Sequence, residues 1–314
     1  MKVLLTADWH IRGDRPRCRV DEDWIDSQRQ DIAAVRKIAD VNNVNEVWIL
    51  GDLFHQPRCA TEAVVMVLDE LKKFHCTVRI LPGNHDLPFH DYQNLDRCSL
   101  GIVLKSFPEL HTLDEGDGYD SMGFTLVANP FGMDPESPIC DVWATHRLVF
   151  EDDKARPMKD LGQTAQELLD AAPNVGAMIV TGDYHHGYIY KETETTPFMV
   201  QATGRYVVTP GCLNIQVADM ADYRPRVYIW DTMDGSVSLE YIGKEPAANV
   251  VTDYLEVEKM RDDRMEKVLQ VVGSSEGVSL SFMDNLEKEL ATGDYPNASG
   301  VFSELKDTMN KDRQ

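Results

Sequence analysis

Four short apolar runs in this chain each end in a cluster of Asp, His, Asn and Gly. Lys2–Thr6 leads into Asp8-Trp9-His10, and Glu46–Leu50 into Gly51-Asp52-Leu53-Phe54-His55. Thr77–Leu81 leads into Gly83-Asn84-His85-Asp86, and residues 177–181 into Gly182-Asp183-Tyr184-His185-His186. Runs this short and this apolar are strands buried on both faces. Open α/β sheets bind ligands beyond the carboxyl ends of their strands. Four strand ends of one chemical character therefore require a fold that gathers them in one place.

The segments between the first three runs are helical in pattern. Apolar residues at Trp24, Ile25, Ile32, Val35, Ile38 and Ala39 predict a helix over Trp24–Val41. A second helix is predicted over 61–74, with Thr61 as its N-cap. A β-α-β-α-β order implies parallel strands joined by right-handed crossovers. The second half is richer in strands, with short ones predicted near 124–128, 141–145, 175–181, 206–208, 227–229 and Val237–Tyr241, and one helix near 161–171. A mixed two-sheet α/β sandwich fits this order better than a simple doubly wound sheet. From about residue 247 the chain reads as a charged helical appendage, 247–314, behind a catalytic domain of 1–246. Leu255, Met265, Val268, Leu269 and Val272 recur there at helical spacing, which favours a partner-docking element over a solvated tail.

Composition narrows the function classes. Lys and Arg number 31 against 53 Asp and Glu, a net charge of −22 over 314 residues. So acidic a surface repels polyanions and argues against a nonspecific nucleic-acid coat. A nuclease remains compatible, because carboxylates that hold divalent cations are neutralised locally. The six cysteines form no CxxC pair and read as reduced core residues, Cys212 among them, buried rather than nucleophilic. The N-terminal apolar run is too short for a signal peptide, and no run of about 18 apolar residues occurs, so a cytoplasmic protein with no membrane partner is expected.

Asp, His and Asn without thiolate suit Mn, Mg, Fe or Zn in a catalytic rather than a structural site. There are more candidate ligands than one metal needs. Two ions about 3.5–4 Å apart sharing a carboxylate would use them, acidify a bridging water and clamp a phosphate. Gly51 and Gly83 let the backbone turn sharply behind the ligand, where a Cβ would crowd the metal.

The ordered set DxH, GDLFH, GNHD, a lone His and GDxH resembles the calcineurin-like metallophosphoesterase superfamily. GDLFH, with its histidine three residues after the aspartate, resembles more narrowly the SbcD-type nuclease subunit of bacterial and phage DNA repair and recombination exonucleases. The turn at Thr209–Cys212 (TPGC) and the run at 226–232 (RVYIWDT) are similar to the family's glycine turn and closing strand, so the resemblance spans about residues 1–242. It implies a four-layer αββα sandwich with mixed sheets, carrying here the helical C-terminal tail. It also implies hydrolysis of phosphodiester bonds by a hydroxide that two metals activate, Mn being favoured and Mg, Fe or Zn allowed.

The roles it implies follow position by position. Asp8 and His10 bind the first metal, Asp52 bridges both, and Asn84 and His146 bind the second. His85 contacts the phosphate and protonates the leaving oxygen, with Asp86 orienting it, and His55 lies over the scissile phosphate. The last motif departs from the family's GHxH. Asp183 stands at the second-metal position and His185 completes the first metal, with the adjacent His186 competing for that register. The implied partners are DNA and an SbcC-type coiled-coil ATPase, and a homodimer is left open.

Bland alternatives accompany these readings. Any one of Asp8, His10, Asp52, Asn84 or His85 alone is ordinarily a turn or cap residue; five in order at strand ends are not. His146 follows Val142-Trp143-Ala144 and alone would be a core histidine, but its place between motifs favours a ligand. Arg12, Arg15, Arg17 and Arg19 follow DWH and are candidates to contact a DNA backbone; alternatively they pair with Asp14, Asp21, Glu22 and Asp23. The competing functions are a small-molecule phosphoesterase, which the acidic charge favours, and a scaffold that has lost its chemistry. The filled ligand positions argue against the scaffold.

Overall fold

A computed structural model describes residues 1–107, 111–112, 124–133, 138–192, 204–243 and 250. The chain divides into Met1–Thr252 and Asp253–Gln314. The appendage expected over 247–314 lies, apart from residue 250, outside the described residues.

Two sheets carry the first unit. The larger holds β1 (Lys2–Thr6), β2 (Glu46–Leu50), β3 (Thr77–Leu81), β4 (His111–Thr112), β12 (Arg226–Asp231) and β13 (Val237–Tyr241), in the order β13-β12-β1-β2-β3-β4. β1 to β4 run parallel, and β12 and β13 close the other edge antiparallel. The smaller holds β5 (Leu126–Asn129), β6 (Cys140–His146), β9 (Val175–Gly182), β10 (Tyr188–Lys191) and β11 (Tyr206–Thr209), in the order β10-β11-β9-β6-β5. Its pairings are parallel except at the β10 edge. A separate pair joins β7 (Val149–Phe150) to β8 (Gln163–Thr164).

Strand alternation sorts side chains into layers. Val3, Leu5, Trp48, Leu50 and Leu81 of the larger sheet meet Leu126, Ala128, Val142, Ala144, Met178, Val180 and Val208 of the smaller one. The alternate residues Leu4, Val47, Ile49 and Ile80 pack outward on the helices α1 (Trp24–Val41), α2 (Thr61–Leu71) and α3 (Ser99–Ser106). Trp143, Ile179 and Val207 pack on α4 (Ala165–Ala171). Helix, sheet, sheet, helix is the four-layer αββα sandwich with mixed sheets.

α1 spans the expected residues. It buries Trp24, Gln28, Ile32, Val35 and Ala39 along one face and is capped by Asp23, which accepts from Asp26 N–H at 2.9 Å. α2 differs from expectation. Its N-cap is Ala60, without a side-chain bond, and it stops at Leu71 because a tight turn through Lys73 and Phe74 brings the chain back to β3. The helix expected over 161–171 begins only at Ala165. Thr164 caps it, bonding Glu167 N–H while the Glu167 carboxylate takes Thr164 N–H, so residues 163–164 are free to form β8.

Candidate functional site

The sheets face each other with their carboxyl ends on one side, so the turns after β1, β2, β3, β6 and β9 meet. The turns are stitched together by backbone. Asp8 N–H donates to Gly51 O (3.1 Å), His10 N–H to Asp52 O (2.9 Å) and Ile11 N–H to Leu53 O (3.0 Å). Cys212 N–H donates to His185 O (2.9 Å) and Leu213 N–H to Asp8 O (3.1 Å), so the TPGC turn ties the β9 turn to the β1 turn. Cys212 is fully buried and burial pushes its thiol well up, which suits structure and not nucleophilic attack.

Backbone strain collects at these turns. Asp8, His10, Asp52 and Asp183 all have left-handed φ, at 49°, 46°, 52° and 80°. Each such residue costs roughly 1–3 kcal/mol and persists only where surrounding contacts impose it. The strain falls at three strand ends, after β1, β2 and β9, and the side chains of Asp8, His10 and Asp52 converge there. The two glycines noted in the sequence serve this packing. A Cβ on Gly51 (φ 93°) would collide with the His146 ring, and one on Gly83 with the Asp52 carboxylate and backbone. The clash is with site side chains, not with space reserved for an ion.

Three groups of converging donors result: Asp8, His10 and His185; Asp8, Asp52 and His146; and His10, His55 and His85. Within each, the ligand atoms lie within 4.8 Å of one another. His10 Nε2 is 2.9 Å from His185 Nε2 and 3.7 Å from Asp52 Oδ2. His146 Nε2 is 3.5 Å from Asp52 Oδ2 and 2.9 Å from Asn84 Oδ1, while its Nδ1 lies 2.8 Å from Leu50 O. Asp8, His10, Asp52 and His146 form a buried floor; Asn84, His85, His55 and His185 are half-exposed around it.

The electrostatics call for cations. Asp8 and Asp52 are close and buried together, so they do not ionise alike. Burial raises Asp8 well above the carboxylate range. Burial also pushes Asp52 up, but the His146, His10 and His85 rings outweigh it and hold Asp52 below that range. Burial depresses His146, yet Asp52, Asp8 and Asp183 outweigh it and raise the ring to about 10. Both His146 nitrogens face oxygen acceptors, as a doubly protonated ring requires. Asp52 Oδ2, His10 Nδ1 and His55 Nδ1 are buried without a hydrogen-bond partner. An oxygen and nitrogen donor set, orphaned acceptors and excess negative potential fit divalent metal ions.

A divalent ion taken up by Asp52 and His146 would have to displace the His146 proton. Apparent Mn affinity of metal-stripped protein is therefore expected to rise about tenfold per pH unit from about pH 6 to 8. Calorimetry in buffers of different ionisation enthalpy checks this, and zero released protons would refute it. The sign for stability is the reverse. The His146 ring is raised from 6.5 to about 10, so its ion pair stabilises stripped protein fully below pH 6.5 and is lost as pH climbs towards 10.

Most of the expected site residues meet here, with three differences. Asp86 does not touch the His85 ring. It is fully buried and accepts from Leu53 N–H (3.2 Å), Phe54 N–H (2.9 Å) and Gly83 N–H (3.0 Å), clamping the β2 turn to the β3 turn. The His85 ring is oriented instead by its Nδ1 contact to His55 O at 2.8 Å. Asp86→Ala would strand three buried N–H groups, each worth about 1–3 kcal/mol. Urea unfolding should show a loss of about 3 kcal/mol or more; an unchanged midpoint would show that the turns hold without it.

Asp183 is the second difference. Its carboxylate is in none of the three groups, and its N–H instead reaches both oxygens of Asp8, at 3.1 and 3.2 Å. The histidine register resolves beside it, since His185 faces His10 and Asp8 while His186 packs against Tyr184 and Tyr223. Arg19 is the third. It is buried in an ion pair with Asp21 (2.8 and 2.9 Å) and stacks on Trp24, so it is not available to a DNA backbone. Arg12 pairs with Asp14 and Gln216, and Arg15 bonds Asp21 O. Arg12 is partly exposed, and Arg15 and Arg17 are exposed.

Sequence reasoning missed Gln28. It is fully buried in α1 and clamps Arg12 at both backbone groups, at 2.9 Å each, fixing the loop after His10. A glutamine on the apolar stripe of α1 was the available signal.

The family model of the calcineurin-like phosphoesterases matches residues 1–146. The match is just under half of the chain and includes Asp8, His10, Asp52, Asn84 and His146; the turn bearing Asp183 and His185 follows it. TT1561 of Thermus thermophilus is similar in structure, at 12% identity and TM-score 0.44, over 77% of this chain and 99% of that one. So is a protein described as a novel archaeal phosphodiesterase, at 15% identity and TM-score 0.40, over 77% and 99%. No curated protein matches the sequence. No helix among the described residues is long and apolar enough to cross a membrane.

Proposed function

We propose that this chain is a metal-dependent DNA nuclease of the SbcD type, hydrolysing phosphodiester bonds. The observation that carries the reading is His55, the histidine of GDLFH. Its ring lies 5.4 Å from His10 and stacks at 5.5 Å on His85, and its buried Nδ1 has no partner. Burial, with Arg12 and His85 beside it, lowers it to about 4, so it is a neutral ring at working pH, able to bond a phosphate oxygen through an N–H.

On this reading Asp8, His10 and His185 hold one divalent ion, Asn84 and His146 the other, and Asp52 serves both. Bound there, divalent ions supply positive charge for the phosphoryl oxygens and make a water acidic enough to attack near neutral pH. Asp183 steadies Asp8 through its N–H. His55 and His85 face the phosphate from the half-exposed rim, and Arg12, Arg15 and Arg17 lead a polyanion towards it. An SbcC-type ATPase is the proposed partner, docked on the 247–314 segment.

The net charge of −22 favours a second reading, a phosphoesterase for small substrates. Purified protein with Mn is expected to cleave end-labelled linear duplex or circular single-stranded DNA, and His55→Ala to lose that cleavage. Silence on DNA with turnover of a cyclic nucleotide or a phosphomonoester would replace the nuclease by the second reading. Cleavage that survives in His55→Ala would remove the observation on which the first one stands.

A further inference from the structure

The loop after Asp86 exposes an aromatic ring at a cost to the fold. Leu87 is buried, but Phe89, two residues on, is 92% exposed, more than any other large hydrophobic side chain among the described residues. Its backbone is left-handed (φ 58°, ψ 21°), and so is that of His90 (φ 55°). Two successive non-glycine residues in this region are strained, and for a bulky residue such as Phe the conformation is a genuine outlier. Burial of the ring does not compensate the strain. Contacts around it impose the conformation: His90 N–H donates to Leu87 O (3.0 Å) and Asp91 N–H to Pro88 O (3.2 Å), while the His90 ring contacts Asn84 O through Nδ1 (2.9 Å). The His90 ring also meets Phe131 edge-on at 6.0 Å, and Phe131 meets His146 at 6.3 Å. Phe89 is thereby fixed to the backbone of Asn84, at the rim of the candidate metal centre.

The surroundings of the ring indicate what it meets. His90, Asp91, Gln93, Asp96 and Arg97, its neighbours in the chain, are exposed and polar, while Pro88, Tyr92 and Leu95 are half-buried. Protein partners cover contiguous apolar area. Exposed polar residues flanking one exposed ring offer no such area, whereas a ring on the loop that follows His85 suits a flat π-face, and every nucleobase has one.

We propose that Phe89 is a specificity-determining residue that stacks on an unpaired nucleobase next to the phosphate held over His85. The inference rests on the nuclease reading and adds a substrate preference to it. Bases inside a duplex are already stacked on one another, so the site takes a single strand or a frayed end.

The test is steady-state cleavage of a single-stranded oligonucleotide, and of the same oligonucleotide made abasic at the positions flanking the cut, with Mn. Phe89→Ala is expected to raise KM on the intact strand by about 5- to 100-fold with little change in kcat, while Phe89→Trp stays near wild type. On the abasic strand the wild type and Phe89→Ala should have the same KM. Phe89→Gly relieves the left-handed strain, so it should raise the thermal midpoint while weakening binding as Phe89→Ala does. Cleavage by wild type with an unchanged KM in Phe89→Ala would overturn the stacking role and leave the nuclease standing. A KM increase of equal size on the abasic strand would also overturn it, by showing that the ring serves the loop and not a base. Absence of DNA cleavage by the wild type would remove the nuclease reading itself, and the stacking role with it.

Discussion

Asp52→Ala is expected to bind no divalent metal with useful affinity and to cleave no phosphodiester. Three partners depend on that carboxylate. Oδ1 accepts His85 N–H at 2.8 Å, and Oδ2, otherwise unpartnered, lies 3.5 Å from His146 Nε2 and 3.7 Å from His10 Nε2. No neighbour stands in for it, since Asp8 is already needed beside His10 and His185 and the Asp183 carboxylate is in none of the converging groups. Removing Asp52 also leaves the half-buried His85 N–H without its acceptor and removes the largest support for the His146 cation, so some loss of stability is expected alongside. Asp52→Asn separates the two effects. It keeps the oxygen that accepts from His85 N–H and the shape of the side chain, but not the charge. Metal content after Mn reconstitution, read with the thermal midpoint, decides: a folded Asp52→Asn without metal supports the assignment. A protein that retains two equivalents of Mn and wild-type turnover would end it.

The parts of this site legible in the sequence were those written locally. Four strands are each followed at once by a cluster, and a parallel order places such clusters at one end, so Asp8, His10, Asp52, Asn84, His85 and His185 could be named as candidates before their distances were known. His146 rested instead on its place between the motifs of a resembled family. α1 was legible for the same reason, its apolar stripe and Asp23 cap lying within one segment. What was not legible depends on partners distant in the chain. Asp86 reads as a neighbour of His85, yet its bonds reach Leu53 and Phe54, over 30 residues away. Arg19 is different, since its partner Asp21 is only two residues away and their pairing was the alternative reading of the basic cluster. Asp183 reads as a ligand because of its motif, and what the sequence does not show is the bond from its N–H to both oxygens of Asp8, far away in the chain. The end of α2 and the start of α4 were misplaced because chain return and a capping box outweigh helical periodicity by a few residues. The exposed ring of Phe89 left no pattern in the sequence, since a lone Phe normally reads as core.

His85→Gln is expected to keep its metal and lose about 10²–10⁴-fold in kcat. The residue is held at two points. Its N–H is bonded to Asp52, and its Nδ1 contacts His55 O at 2.8 Å, which assigns the Nδ1 proton to that carbonyl and leaves Nε2 for the substrate. On the proposed reading a protonated ring would donate from Nε2 to the leaving oxygen as the P–O bond breaks, and the neutral ring would take a proton back from solvent. Glutamine can donate a hydrogen bond from the same position but cannot transfer a proton, so binding survives and proton transfer does not. The leaving group provides the discriminating measurement. A nitrophenolate departs without a proton, so the variant should be nearly as fast as wild type on a nitrophenyl phosphodiester and slow on DNA, whose leaving alkoxide needs one. An equal loss on both substrates would make His85 a binder of phosphoryl charge rather than an acid. Loss of bound metal would make it a ligand, grouping it with His10 and His55 around an ion and not around the phosphate.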